Sequence, residues 1–106
     1  MKIIRAEIFD IHQQENRAWH PIILRATTDE GLTGLGEVGL AYGVGHSAGV
    51  GMARNLAEAF ALGADPFQSE RLWDTMFRNS FWGRGGGPAV YGGMSAIDTA
   101  LWDIKG

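Results

Sequence analysis

Three histidines, His12, His20 and His46, are the side chains of this sequence best suited to move a proton or hold a metal. Their spacing argues against a metal role, because they are far apart and form no His-Glu-x-x-His or related pattern. There is no cysteine, which removes thiolate nucleophiles, disulfides and cysteine zinc sites together. His12 reads as a strand-end residue. His20 and His46 stand in two segments that can flank a pocket, and those segments also hold Trp19 and Tyr42. Imidazole donors beside flat rings suit the binding and covering of a small polar ligand. Arg84 lies in Gly83-Arg84-Gly85-Gly86-Gly87-Pro88, just ahead of a helix start. Free amides, the helix dipole and the guanidinium can hold an anion there. The same residues also read as a hinge with Arg84 solvated or paired to a carboxylate. The absence of Gly-Lys-Ser/Thr excludes a Walker-type phosphate loop.

Two further features compete for a chemical reading. Gly34-Leu35-Gly36-Glu37-Val38-Gly39 matches the dinucleotide fingerprint letter for letter. That fingerprint requires a strand turning straight into a helix, whereas here its first two glycines fall inside a strand and Leu40-Ala41-Tyr42-Gly43 follows. The glycines instead read as places where another backbone comes close to the strand. Most carboxylates are accounted for by turns, caps and helix pairs. Asp98 is the exception, and a structural hydrogen bond across a domain junction is its expected role. Trp73 and Trp102 read as core, while Trp19 and Trp82 fall in or beside loops.

These residues must be carried by a definite set of elements. Residues 2–11 alternate apolar and charged side chains, with Ile4, Ala6 and Ile8 on one face, and read as a strand. Residues 12–20 form a polar loop. Residues 21–28 are a β-branched second strand, Asp29-Glu30-Gly31 a hairpin turn and residues 32–38 a third strand, which together make an antiparallel meander. After a glycine-rich stretch a helix is expected from Ser47 as N-cap. Its buried stripe is Gly49, Met52, Ala53, Leu56, Ala59 and Phe60, with Arg54 and Glu58 paired outside and Gly63 closing the end. Asp65, Pro66 and Gln68 mark the next start as N-cap, first helical position and capping-box partner. Leu72, Trp73, Met76 and Phe77 form its apolar face, opposite an Asp74–Arg78 pair. In the last helix Val90, Met94, Ile97, Leu101 and Ile104 make an apolar stripe. Tyr91, Ser95, Asp98, Trp102 and Lys105 make a mixed one beside it. So much apolar circumference needs cover on several sides and the preceding residues supply only part of it, so residues 1–106 alone are expected to expose a patch on Ile97, Leu101, Trp102 and Ile104. The fold class is therefore α+β, a three-stranded antiparallel meander followed by a helical bundle.

The final segment, Ser95-Ala96-Ile97-Asp98-Thr99-Ala100-Leu101-Trp102-Asp103-Ile104-Lys105-Gly106, resembles the enolase superfamily, mandelate racemase/muconate lactonizing enzyme branch. It is similar to the junction where the N-terminal capping domain hands over to a catalytic (β/α) barrel. The Gly-x-Gly-Glu of the third strand and the order of elements resemble that domain throughout. The resemblance implies that residues 1–106 are a capping domain truncated before its barrel. It implies abstraction of the proton α to a carboxylate, with Mg²⁺ and the bases on the barrel and none of them on this chain. The isolated chain is then expected to be inactive and to bind Mg²⁺ weakly. Residues 13–20 and 40–47 match the two family loops that close over the substrate, which makes Trp19, His20, Tyr42 and His46 substrate-binding candidates, with Arg84 beside them. The segment from Phe81 to Pro88 resembles acid-sugar dehydratases, apart from one extra glycine. A racemase, epimerase or lactone cycloisomerase on the same barrel is the alternative, and a stand-alone non-catalytic binding domain is an alternative of another class. The expected partners are the chain's own C-terminal barrel, a small carboxylate or acid-sugar substrate, and further copies in a homo-oligomer.

Composition bounds the remaining possibilities. The sequence has 106 residues and a formal net charge of −3, which fits one small domain and argues against a nucleic-acid partner. The N-terminus lacks the apolar run of a signal peptide, and no stretch approaches membrane-spanning length. A cytoplasmic protein is expected.

Overall fold

The structure, a computed structural model, describes residues 1–11, 21–39, 46–80, 83 and 85–106. Strands β1 (Ile3–Asp10), β2 (Ile22–Thr28) and β3 (Thr33–Val38) form one antiparallel sheet in the order β1-β2-β3. The β2–β3 turn has Gly31 at φ 83°, a left-handed conformation that costs glycine no Cβ clash. Thr28 locks this turn twice, donating its N–H to the Leu32 carbonyl at 2.8 Å and accepting the Leu32 N–H on its hydroxyl at 3.1 Å.

β1 corrects the expected alternation. The register shifts between Ile3 and Arg5, so Ile3 opposes Thr28 while Arg5 opposes Thr27. One extra residue reverses which side chains face the core. Ile3 is buried, Ile4 is 57% exposed, and Ala6 and Ile8 again pack against the core. The start of β1 is covered by the chain at 63–64, with Ile3 donating to Ala64 at 2.9 Å and Gly63 to Ile3 at 2.8 Å.

Helix α1 (His46–Leu56) runs directly into a π-helical turn, Ala57–Ala61. It begins one residue before Ser47, which lies exposed in its first turn rather than at a cap. The π turn changes the buried face. Leu62 donates to the carbonyl of Ala57, five residues back, and the wider turn advances the helix face by one residue. Gly49, Ala53, Leu56, Ala57 and Ala61 are therefore buried, Met52 and Phe60 are half-buried, and Ala59 is exposed. The same break leaves Arg54 and Glu58 exposed without an ion pair between them. Gly51, inside α1, would place an added Cβ in open space. Gly51→Ala is expected to stabilise the chain by about 0.5–1 kcal/mol, because alanine removes backbone freedom from the unfolded state. A rise in the urea midpoint checks this, and an unchanged or lower midpoint contradicts it.

The next start is a 3₁₀ turn, Pro66–Gln68, leading into α2 (Ser69–Asn79). Asp65 caps it, accepting the Phe67 N–H at 3.0 Å. Gln68 does not complete a capping box, since its side-chain oxygen accepts from Arg71 at 3.4 Å instead. Leu72 and Met76 are buried and Phe77 half-buried, and Asp74 pairs with Arg78 at 2.8 Å as expected.

Helix α3 (Pro88–Lys105) packs against both the sheet and α1. A Cβ on Gly36 would overlap the Ala96 carbonyl oxygen, and one on Gly34 would overlap that of Ala100. The strand glycines thus let the helix backbone come into contact, as expected from the sequence. On the other side, a Cβ on Gly93 would lie 2.9 Å from Leu56 Cδ1. This close packing overturns the expected patch, because Ile97, Leu101 and Ile104 are all buried within the chain itself. Trp102 alone of the four remains outside, at 59% exposure, and Trp73 is 36% exposed, so neither tryptophan is core.

Candidate functional site

The sheet register decides where a site can form. Asp10 opposes Ile22, and Ile22 opposes Val38. The end of β1, the start of β2 and the end of β3 therefore stand at one level. Ile11 donates to the Pro21 carbonyl at 2.9 Å, which extends the pairing to the residues flanking segment 12–20. Ile22 and Val38 are fully buried beneath this end and make an apolar floor.

His46 is the first residue of α1, and its Nε2 lies 3.3 Å from Asp10 Oδ2. The imidazole is 20% exposed and the carboxylate 33%. A carboxylate oxygen only accepts, so this contact is a hydrogen bond when Nε2 carries the hydrogen. The contact ties the start of α1 to the end of β1. It places His46 at the end of the sheet from which segments 12–20 and 40–45 both lead away. The N-terminal end of α1 adds a partial positive charge there.

Helix α3 runs antiparallel to β3, since Gly36 meets Ala96 while Gly34 meets Ala100 and Ile104. Its N-terminus is thus directed toward the same end. Gly86 and Gly87 precede it at φ 76° and 121°. Tyr91 steadies this approach by donating its hydroxyl to the Gly83 carbonyl at 3.0 Å, with its ring against Gly86.

Of the candidates read from the sequence, His46 is placed at this shared end. Trp19, His20, Tyr42 and Arg84 lie outside the described residues, as do His12 and Trp82. Asp98 is half-buried and forms no hydrogen bond with a described residue; it lines a surface groove with Trp73 and Trp102. Among the described residues no three His, Asp or Glu side chains converge as a metal site. No described helix is long and apolar enough to cross a membrane.

Two carboxylates were not anticipated. Asp10 shows its role only once the strand ends are aligned, and counting the meander register from Gly31 is the signal that finds it. Asp103 accepts the Leu35 N–H at 2.9 Å, satisfying a donor on the open edge of β3. That contact depends on how α3 crosses the sheet and has no local signature.

Comparison with known proteins adds an independent line. Residues 10–106 match the family described as mandelate racemase / muconate lactonizing enzyme, N-terminal domain. A D-galactonate dehydratase family member from Pseudarthrobacter chlorophenolicus is 37% identical over 109 residues, covering 100% of this chain and 24% of its own length. A D-galactonate dehydratase from Ralstonia pickettii is 39% identical over 85 residues, covering 80% of this chain and 21% of its own. The chain thus spans about a quarter of the curated relatives it matches. A crystal structure of a member of the enolase superfamily from Salmonella Typhimurium superposes with a TM-score of 0.91 at 50% identity, covering 99% of this chain and 26% of that one. A mandelate racemase/muconate lactonizing enzyme from Jannaschia sp. CCS1 superposes at 0.82 with 32% identity, covering 99% and 27%.

Proposed function

Because this chain belongs to the mandelate racemase / muconate lactonizing enzyme family, as its N-terminal domain, we propose that it is the substrate-capping domain of an acid-sugar dehydratase. The observation that carries the reading is the single level shared by Asp10, Ile22 and Val38, with His46 joined to Asp10 beside it. Two segments lead from that one end, one holding Trp19 and His20 and the other Tyr42. They are suited to closing over a polar ligand presented from below.

In the proposed reaction the proton α to the substrate carboxylate is removed. The β-hydroxyl leaves as water, and the resulting enol becomes a 2-keto-3-deoxy acid. The base belongs to a C-terminal barrel. The described residues here do not fit the Mg²⁺ that the family implies, so the metal is assigned to that barrel as well. This chain's part is enclosure and recognition. Trp19, His20, Tyr42 and His46, with Arg84 beside them, are proposed to contact the distal hydroxyls of the substrate and exclude water. Binding energy remote from the reacting carbon is thereby used to hold the reactive geometry. The same reading takes the enzyme to be cytoplasmic and homo-oligomeric.

Dehydration is favoured over racemisation or cycloisomerisation because relatives named as D-galactonate dehydratases match 80% of this chain at 39% identity, and a member of that dehydratase family matches all of it at 37%. The test is a full-length protein carrying this domain, incubated with a panel of hexonates and aldarates in Mg²⁺. The expected result is a 2-keto-3-deoxy product, trapped as its semicarbazone, from a small subset of the panel and none after chelation. Stereochemical inversion or lactone isomerisation without that product would replace the dehydratase reading by the alternative one.

A further inference from the structure

Asp10 stands where the sheet would favour an apolar side chain. Beyond its bulge β1 alternates regularly, so Ala6, Ile8 and Asp10 share the face turned toward the core, and Glu7 and Phe9 share the other. Ala6 and Ile8 pack against that core, and Asp10 opposes the fully buried Ile22. An apolar residue at this position would extend the floor made by Ile22 and Val38. A carboxylate forgoes that burial and needs a polar partner in compensation. Arg25 does not supply it, because it lies on the outer face, paired with Glu7 at 3.0 Å and stacked over Phe9. His46 does, with its Nε2 at 3.3 Å from Asp10 Oδ2.

Anchoring α1 does not require this contact. The helix buries Gly49, Ala53 and Leu56, and Leu56 and Met52 lie against Gly93 of α3. What the carboxylate adds lies at the stems of the two capping segments. Asp10 directly precedes Ile11, whose N–H closes the base of segment 12–20 on the Pro21 carbonyl at 2.9 Å. His46 directly follows segment 40–45. One side-chain contact therefore joins both stems across 36 residues of sequence. A carboxylate that accepts from an imidazole fixes the orientation of the ring, and in the neutral ring it places the hydrogen on Nε2. A ring already held in one orientation loses less conformational freedom when a ligand binds against it.

We infer that Asp10 is a positioning residue for substrate recognition, which acts through His46 by holding its ring and by tying together the stems of the two capping segments. The inference rests on the capping role proposed above. A double-mutant cycle in the full-length protein tests it, using the substrate that the acid-sugar panel returns. His46→Ala is expected to raise KM about tenfold and Asp10→Ala about fivefold, with kcat changed less than about twofold in each. Asp10→Asn is expected to keep most of the affinity, because its amide oxygen still accepts from Nε2–H. In the His46→Ala background Asp10→Ala is expected to add less than about twofold, since both residues act through one contact. A full fivefold rise in that background overturns the inference. So does an unchanged KM with a lowered thermal midpoint, which reduces the contact to a structural tie. A measurement on the wild-type protein covers the case in which Asp10→Ala does not fold. Nitrogen NMR of isotope-labelled histidine is expected to show the neutral His46 ring with its hydrogen on Nε2, and a hydrogen on Nδ1 instead overturns the inference. The cycle is run on whichever reaction the panel returns, which keeps the two readings apart. Stereochemical inversion with the expected cycle removes the dehydratase assignment alone. Dehydration with a wild-type KM for Asp10→Ala removes the positioning role alone.

Discussion

Replacing Gly36 by alanine is expected to cost this chain about 3 kcal/mol of folding stability, at the upper end of what overpacking a close contact costs. The added Cβ would overlap the Ala96 carbonyl oxygen and stand 2.8 Å from its carbon. These are backbone atoms inside a helix, so no side chain can rotate out of the way. Nor can α3 retreat freely, because Gly93 on its far side already lies against Leu56 and Met52. The contact sits in the middle of the core, where Met94 and Ala96 are completely buried and Ile97 nearly so. A domain of this size has roughly 5–15 kcal/mol in total, so the thermal midpoint is expected to fall by roughly 12 °C or more. Gly39→Ala is the matched control, since an added Cβ there meets no described residue within 4 Å. Thermal and urea unfolding of both variants decide the matter. A loss for Gly36→Ala no larger than that of the control would mean that α3 does not rest on β3 through this glycine.

The second large effect concerns recognition. In the full-length protein, Trp19→Ala combined with His46→Ala is expected to raise KM for the acid sugar about 100-fold, with a smaller change in kcat. His46 stands at the start of α1 with its ring against Asp10, and Trp19 belongs to the segment leading from the end of β1. On the proposed reading, loss of the imidazole and of the aromatic cover weakens binding of the substrate's distal part and leaves the reacting carbon to the proposed barrel. Mg²⁺ affinity, measured by calorimetry, is expected to be unchanged. Wild-type KM across the panel would remove both residues from the site. Weakened Mg²⁺ binding would move them into the catalytic shell and end the division of labour between cap and barrel.

The elements were legible where local chemistry decides them. Gly31 needed a left-handed turn and has one, Asp65-Pro66 begins a helical turn, and Gly63 closes the preceding one at φ 87°. The spacing of Gly34 and Gly36 in a strand announced a close backbone neighbour, and the Ala96 and Ala100 carbonyls supply it. The up-down-up order of the strands was enough to bring segments 12–20 and 40–45 to one end.

The misreadings share a different cause. Ile4 and Ala59 were placed inward by ideal periods of two and 3.6 residues, and each was displaced by a single-residue irregularity, the β1 bulge and the π turn. Such irregularities are set by what the neighbouring elements require, and the local residues hardly announce them. Ile97, Leu101 and Ile104 were expected to lack cover because apolar content alone does not reveal how closely a helix can approach a sheet. Two glycines and two alanines permit contact close enough to bury all three. Trp102 went the opposite way. It is as apolar as its neighbours, but it lies on the side of α3 that neither the sheet nor α1 reaches. The sequence by itself determined the strand and helix order, the main turns, the family and the end of the domain that carries the candidate site. Only the tertiary structure decided the Asp10–His46 contact, the pairing of Asp103 with the β3 edge and the open face around Trp102, because each depends on the crossing of elements far apart in the chain.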